Sequence, residues 1–293
     1  GFIHINKAGG STVKKDVIFP TLRRNGWDGA GFGMFKAWPS LGLPWQHPRF
    51  SSSPAKPLLQ RWPHDKLEEP LYIKCGQDLR RPPGPFEAIN VDGGCPLRAV
   101  WGSMSLGLCD HFPGRPCIYL VVLRDPIKRL ISNYNYVCVQ GAENRKKWRR
   151  EWKAQDECPL TLPEFIQAGL GEPNFLLWRL SRSCDAGCSA QVAIDNLKHP
   201  CTRYLLLENF DNGLQRLRDT LGKPYHSAID ALARSREVVN RATYSERVLA
   251  QLRSETIMAD LRAQLKQDLE IYRAAQDFYE AQWMQPLQSC NPM

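Results

Sequence analysis

The chain has 293 residues, 43% apolar and 24% charged, with 39 basic against 30 acidic side chains and a net charge of +9. This is ordinary globular composition, which excludes wholesale disorder, collagen and coiled coil. The length also allows a core that needs no metal or disulfide to hold it. The positive balance favours an anionic partner without choosing among nucleotide, nucleic acid, acidic polysaccharide and membrane surface.

In chain order, Phe2–Ile5 reads as a strand, and because the chain opens there without Met, upstream sequence is expected. Asn6-Lys7-Ala8-Gly9-Gly10-Ser11-Thr12 follows, then a helical stretch through Val13, Val17 and Ile18. Strand, Gly-rich turn and helix start together form an anion site, with convergent amides, the helix dipole and the Lys7 charge. Ser11 and Thr12 can cap the helix or donate to anion oxygens. The order is not Walker A, because Lys7 precedes the glycines. A tight turn with a helix cap is the plainer reading of the same residues.

Residues 31–98 form an irregular Pro-, Trp- and Gly-rich insertion in this reading, interrupted by a candidate strand at Leu71–Lys74. Ala99–Trp101, Cys117–Leu123 and Tyr204–Leu207 are the remaining candidate strands. Cys117–Leu123 is the longest apolar run, as expected for a central parallel strand. It falls far short of the roughly 20 residues that span a bilayer, so no transmembrane helix or signal peptide is expected within the chain. Leu123-Arg124-Asp125-Pro126 ends that strand and starts a helix, with Asp125 as cap and Pro126 in the first turn. Arg124, at the carboxyl end of a buried strand, and Ser132, two turns along the helix, suit a phosphate clamp. Arg124 paired with a structural carboxylate is the alternative.

Past Tyr204 the pattern is helical. Asp211 is a candidate cap for a helix through Leu214, Leu217 and Leu221, and Leu252–Trp283 reads as one long amphipathic helix or two. The expected architecture is α/β, a single domain over 1–293 with a central parallel sheet and a mainly helical part over 205–293. The ten cysteines lack paired C-x-x-C units; Cys184, Cys188 and Cys201 come nearest to a zinc pattern. Disulfides in an oxidising compartment are expected instead, and no metal.

Two anion sites at strand ends of one sheet suit a ligand with two separated phosphates. Phe2–Thr12 resembles the 5′-phosphosulfate loop of sulfotransferases that use PAPS (3′-phosphoadenosine 5′-phosphosulfate), and Leu123–Tyr134 resembles their 3′-phosphate motif. The two stand in order, about 120 residues apart. The similarity is to Golgi-type carbohydrate sulfotransferases, the heparan sulfate 6-O-sulfotransferase-like group in particular. It extends to Tyr204–Asp211, similar to the family's late strand with its acidic residue, and to Leu265–Tyr272, similar to its terminal helix.

The resemblance implies a P-loop-like sulfotransferase fold and transfer of a sulfuryl group from PAPS to a glycan hydroxyl without a metal. It implies Lys7, Ala8, Gly9, Gly10, Ser11 and Thr12 at the 5′-phosphosulfate, with Lys7 catalytic, and Arg124 and Ser132 at the 3′-phosphate. Asn6 and Ala8 stand where the family has Pro and Thr. Ser103 aligns with the family's His before the core strand, so His111 is the expected general base, with Asp110, His47 and His64 as alternatives. In Asn174–Leu180, similar to an Asn-x-Gln-x-Arg stretch, Leu176 and Trp178 replace Gln and Arg. Arg145, Lys146, Lys147, Arg149 and Arg150, interleaved with Trp148 and Trp152, suit an acidic polysaccharide or simply form a solvated face; nucleic acid is not expected. A Golgi-lumen enzyme with an upstream membrane anchor is implied. A catalytically weakened nucleotide-binding relative and a P-loop-type phosphotransferase are the competing functions.

Overall fold

The computed structural model describes residues 2–3, 12–32, 72–79, 95–102, 106, 109, 116–135, 161–167, 174–181, 189–235 and 246–289. Its most deeply buried strands are β6 (Tyr119–Leu123) and β7 (Thr202–Leu206), parallel and buried along their whole lengths. Period-2 alternation sends their side chains to two cores. Tyr119, Val121, Leu123, Tyr204 and Leu206 pack with Phe175, Leu176, Ala193, Leu197, Ile271 and Tyr279. Leu120, Val122 and Leu205 point the other way, onto Val13, Val17, Leu22, Leu214 and Ile229. Helices therefore cover both faces, and the architecture is mixed α/β.

The remaining strands are β1 (Phe2–Ile3), β2 (Asp28–Phe32), β3 (Tyr72–Lys74), β4 (Gln77–Leu79) and β5 (Leu97–Gly102). The seven-stranded order is β4-β3-β2-β5-β1-β6-β7. β2, β5, β1, β6 and β7 run parallel, and the β3–β4 hairpin closes one edge antiparallel. The hairpin turns on Cys75 and Gly76, both at positive φ, the two-residue geometry that matches strand twist. A Cβ on Gly76 would meet the Arg23 carbonyl at 2.6 Å, so glycine is required there. A disulfide ties Cys75 to Cys95 just before β5, and Asp28 Oδ1 accepts the Cys75 amide at 2.6 Å.

After β1, π-helical turns over Val13–Ile18 run into α1 (Phe19–Asn25), which ends on left-handed Gly26. The helices beyond β6 are α2 (Pro126–Tyr134), α3 (Leu162–Gln167), α4 (Phe175–Leu180) and α5 (Ala190–Lys198). Beyond β7 come α6 (Phe210–Leu221), α7 (Lys223–Ser235), α8 (Glu246–Arg253), α9 (Glu255–Gln264), α10 (Lys266–Asp277) and α11 (Tyr279–Met284). Leu130, Ile131 and Tyr134 join α2 to α3, α8 and α9 in a third core with Phe165, Val248 and Leu261.

The strand and helix expectations need several corrections. β3 bears out the candidate strand at Leu71–Lys74, whereas β2 and β4 were not expected, and the end of β2, all of β4 and the start of β5 enter the stretch 31–98 read as irregular. Leu97–Gly102 is longer than Ala99–Trp101, while β6 starts at Tyr119 rather than Cys117. β7 is Thr202–Leu206 rather than Tyr204–Leu207, because a 3₁₀ turn takes over at Leu207–Asn209. That turn makes Asn209 the cap of α6 and leaves Asp211 in its first turn. The stretch 252–283 breaks at Leu265 and Phe278 into α9, α10 and α11. Ser254 caps α9 by accepting the Ile257 amide, which separates it from α8.

Candidate functional site

β1 lies beside β6 in parallel register, Phe2 opposite Leu120 and Ile3 opposite Val121. The connection from β1 to β2 runs over one face, where Val13, Val17 and Leu22 pack. The connection from β6 to β7 runs over the other, where Phe175, Ala193 and Leu197 pack. Where neighbouring parallel strands send their crossovers to opposite faces, a crevice opens outside their carboxyl ends, and ligands of open α/β sheets bind there.

The segment leaving β1 carries Lys7, Ala8, Gly9, Gly10 and Ser11, which lie outside the described residues. Thr12 is half-buried and already helical, with no side-chain cap bond, so the capping expected of it is not made. The π-helical turns that follow were not legible in the sequence; such turns recur at functional sites.

On the β6 side the expected geometry is present. Arg124, half-buried, follows the fully buried Leu123. Asp125 caps α2 by accepting the Lys128 amide at 2.9 Å, and Pro126 occupies the first turn. Ser132, half-buried, lies on the same helix. The end of β7 supplies a brace: the Asp125 amide donates to Glu208 Oε1 at 3.2 Å, and Tyr272 Oη donates to Glu208 Oε2 at 2.6 Å. Burial and then the Glu208 bond push the Tyr272 hydroxyl well above the usual tyrosine range, while the nearby Arg124 charge works against that shift.

A second arrangement involves Arg129 of α2. Arg129 is fully buried, its guanidinium 4.5 Å from the Phe175 ring centroid, and Arg179 stacks on the same ring at 4.7 Å. Asp268, also fully buried, accepts the amides of Leu176 and Leu177 at 3.0 and 3.1 Å. It thus caps α4, whose own N-cap Asn174 makes no side-chain bond and stands at φ 60°. Desolvation pushes the Asp268 carboxyl up to about 6, against the downward pull of Arg129 and the helix amides. Leu176 is wholly buried and Trp178 half-buried against the core, so these two replacements in α4 serve packing.

His111, Asp110, Ser103, His47 and His64 lie outside the described residues, as does the basic stretch Arg145, Lys146, Lys147, Arg149 and Arg150. Cys109 and Cys117, which flank residues 110–116, are disulfide-bonded before the amino end of β6. Cys201 is disulfide-bonded as well, so the zinc pattern that included it is not a metal site. Asp28, Cys75 and Cys95 lie together, but their two sulfurs are already joined. The disulfides fit a secretory or luminal protein. No helix among the described residues is long and apolar enough to cross a membrane.

No family model and no curated protein matches the chain.

Proposed function

We propose that this chain is a PAPS-dependent carbohydrate O-sulfotransferase of P-loop-like fold. One observation carries the reading: β1 and β6 are neighbours whose crossovers leave on opposite faces, so the carboxyl ends of both strands border one crevice. In this reading Arg124 and Ser132 hold the 3′-phosphate, the guanidinium through paired donors. The amides of Gly9, Gly10, Ser11 and Thr12, with Ala8, cradle the 5′-phosphosulfate. The acceptor oxygen forms a bond to sulfur as the sulfur–oxygen bond to the nucleotide phosphate breaks. Lys7 neutralises the charge that develops on that leaving phosphate, and a base takes the hydroxyl proton.

For the base the reading keeps His111, which lies outside the described residues. His111→Ala decides: lost turnover supports the role, and full turnover removes it. The acceptor is a glycan, with the cations of residues 145–150 suited to an acidic one. The site of action in this reading is the Golgi lumen.

The test is a thermal shift with PAP, the desulfated product, against ATP–Mg²⁺. PAP should stabilise the chain and ATP–Mg²⁺ should not; the reverse would favour a phosphotransferase. Arg124→Ala should weaken PAP binding by about 1.5–3 kcal/mol, the range for a charged hydrogen bond. Unchanged affinity would remove Arg124 from the site.

A further inference from the structure

Helix α10 meets the segment around α2 at two points on one of its own faces. Asp268 and Tyr272 are four residues apart, hence neighbours on the helix surface. Tyr272 reaches the start of α2 through Glu208, which holds the Asp125 amide. Asp268 meets the middle of α2 through the first turn of α4: it accepts the Leu176 and Leu177 amides, and the neighbouring Phe175 ring carries the buried Arg129 guanidinium at 4.5 Å. Arg124 immediately precedes the held Asp125, and Ser132 lies three residues beyond Arg129 on the same side of α2.

We propose that Asp268 and Tyr272 are positioning residues that hold Arg124 and Ser132 in the register in which both reach one phosphate. The proposal rests on the nucleotide reading above. Burying a carboxylate and a guanidinium is weak as a source of stability, and apolar replacements often serve better. The helix that Asp268 caps is only six residues long, and a neutral side chain can cap a helix. The first turn of α4, held by Asp268 of α10 and stacked by Arg129 of α2, instead fixes the rotation of α2, and with it the aim of Ser132. The Tyr272–Glu208 link fixes where α2 begins, and with it Arg124.

Calorimetry on the full chain, Asp268→Asn and Tyr272→Phe, with PAP and with adenosine 5′-monophosphate, tests this. The monophosphate lacks the 3′-phosphate, so only the clamp distinguishes the two ligands. Each variant should lose about tenfold in PAP affinity, as expected for a misplaced binding group, and keep its affinity for the monophosphate. Wild-type PAP affinity in the folded variants, or equal losses for both ligands, overturns the proposal.

Should Asp268→Asn fail to fold, Tyr272→Phe, which keeps the ring, and amide exchange in the unaltered chain decide. Coupling is reciprocal, so PAP but not the monophosphate should slow exchange at Leu176 and Leu177. Unchanged exchange on PAP binding overturns the role of Asp268. An unaltered chain that binds no PAP overturns the nucleotide reading and this inference with it. PAP binding that ignores both substitutions overturns this inference alone.

Discussion

The Tyr272 hydroxyl donates to Glu208 Oε2 at 2.6 Å, and the other oxygen of that carboxylate takes the Asp125 amide. One side chain at the end of β7 thus joins α10 to the segment that carries Arg124. Glu208→Ala leaves both donors without their acceptor. Because Glu208 is exposed, water replaces part of what is lost, and the expected destabilisation is about 1 kcal/mol. It would be read as a lower urea midpoint at unchanged slope, together with weaker PAP binding. An unchanged midpoint and affinity would make the link incidental.

Asp268 gives a pH dependence whose sign is fixed. Its carboxyl is raised from an ordinary 3.8 to about 6, by burial first. The folded chain therefore holds this proton more tightly than the unfolded one, and its contribution to stability falls as pH rises from about 4 through 6. Against Asp268→Asn, the unaltered chain should lose stability on the order of 1–3 kcal/mol across that window. Urea midpoints of both proteins at several pH values between 4 and 7 measure this. A difference that does not change with pH contradicts it.

The local signals were legible. Asp125 and Pro126 start α2 as their chemistry requires, and the apolar run before them forms the fully buried strand β6, which lies second from one edge of the sheet rather than at its centre. β2 was hidden because Asp28-Gly29-Ala30-Gly31-Phe32 carries little strand propensity. Gly29 answers a tertiary demand: a Cβ there would collide with Leu22 Cδ1 and Trp101 Cζ3. Asp268 and Tyr272 were hidden for a related reason, since their partners lie 92 and 64 residues away and no local pattern encodes them. Gly29→Ala should destabilise the fold by about 1–3 kcal/mol, the range for overpacking. A thermal midpoint equal to that of the unaltered chain would contradict the packing described.

Cys75–Cys95 encloses a sequence separation of 20 and Cys109–Cys117 one of 8. Loops of the first size are worth about 3 kcal/mol in the chain-entropy account. Non-reducing peptide mapping of natively sourced protein should pair 75 with 95 and 109 with 117, and full reduction should lower the urea midpoint. Free thiols at these positions, or a midpoint indifferent to reduction, would contradict both the pairing and the luminal assignment.

Transfer of radiolabelled sulfate from PAPS to a panel of glycans tests the central claim most directly. The unaltered chain should label at least one of them. Lys7→Ala should lose turnover by more than it loses PAP affinity, because its charge acts mostly on the leaving group in the transition state. If the unaltered chain moves no label to any glycan in the panel, the account of a carbohydrate sulfotransferase is contradicted.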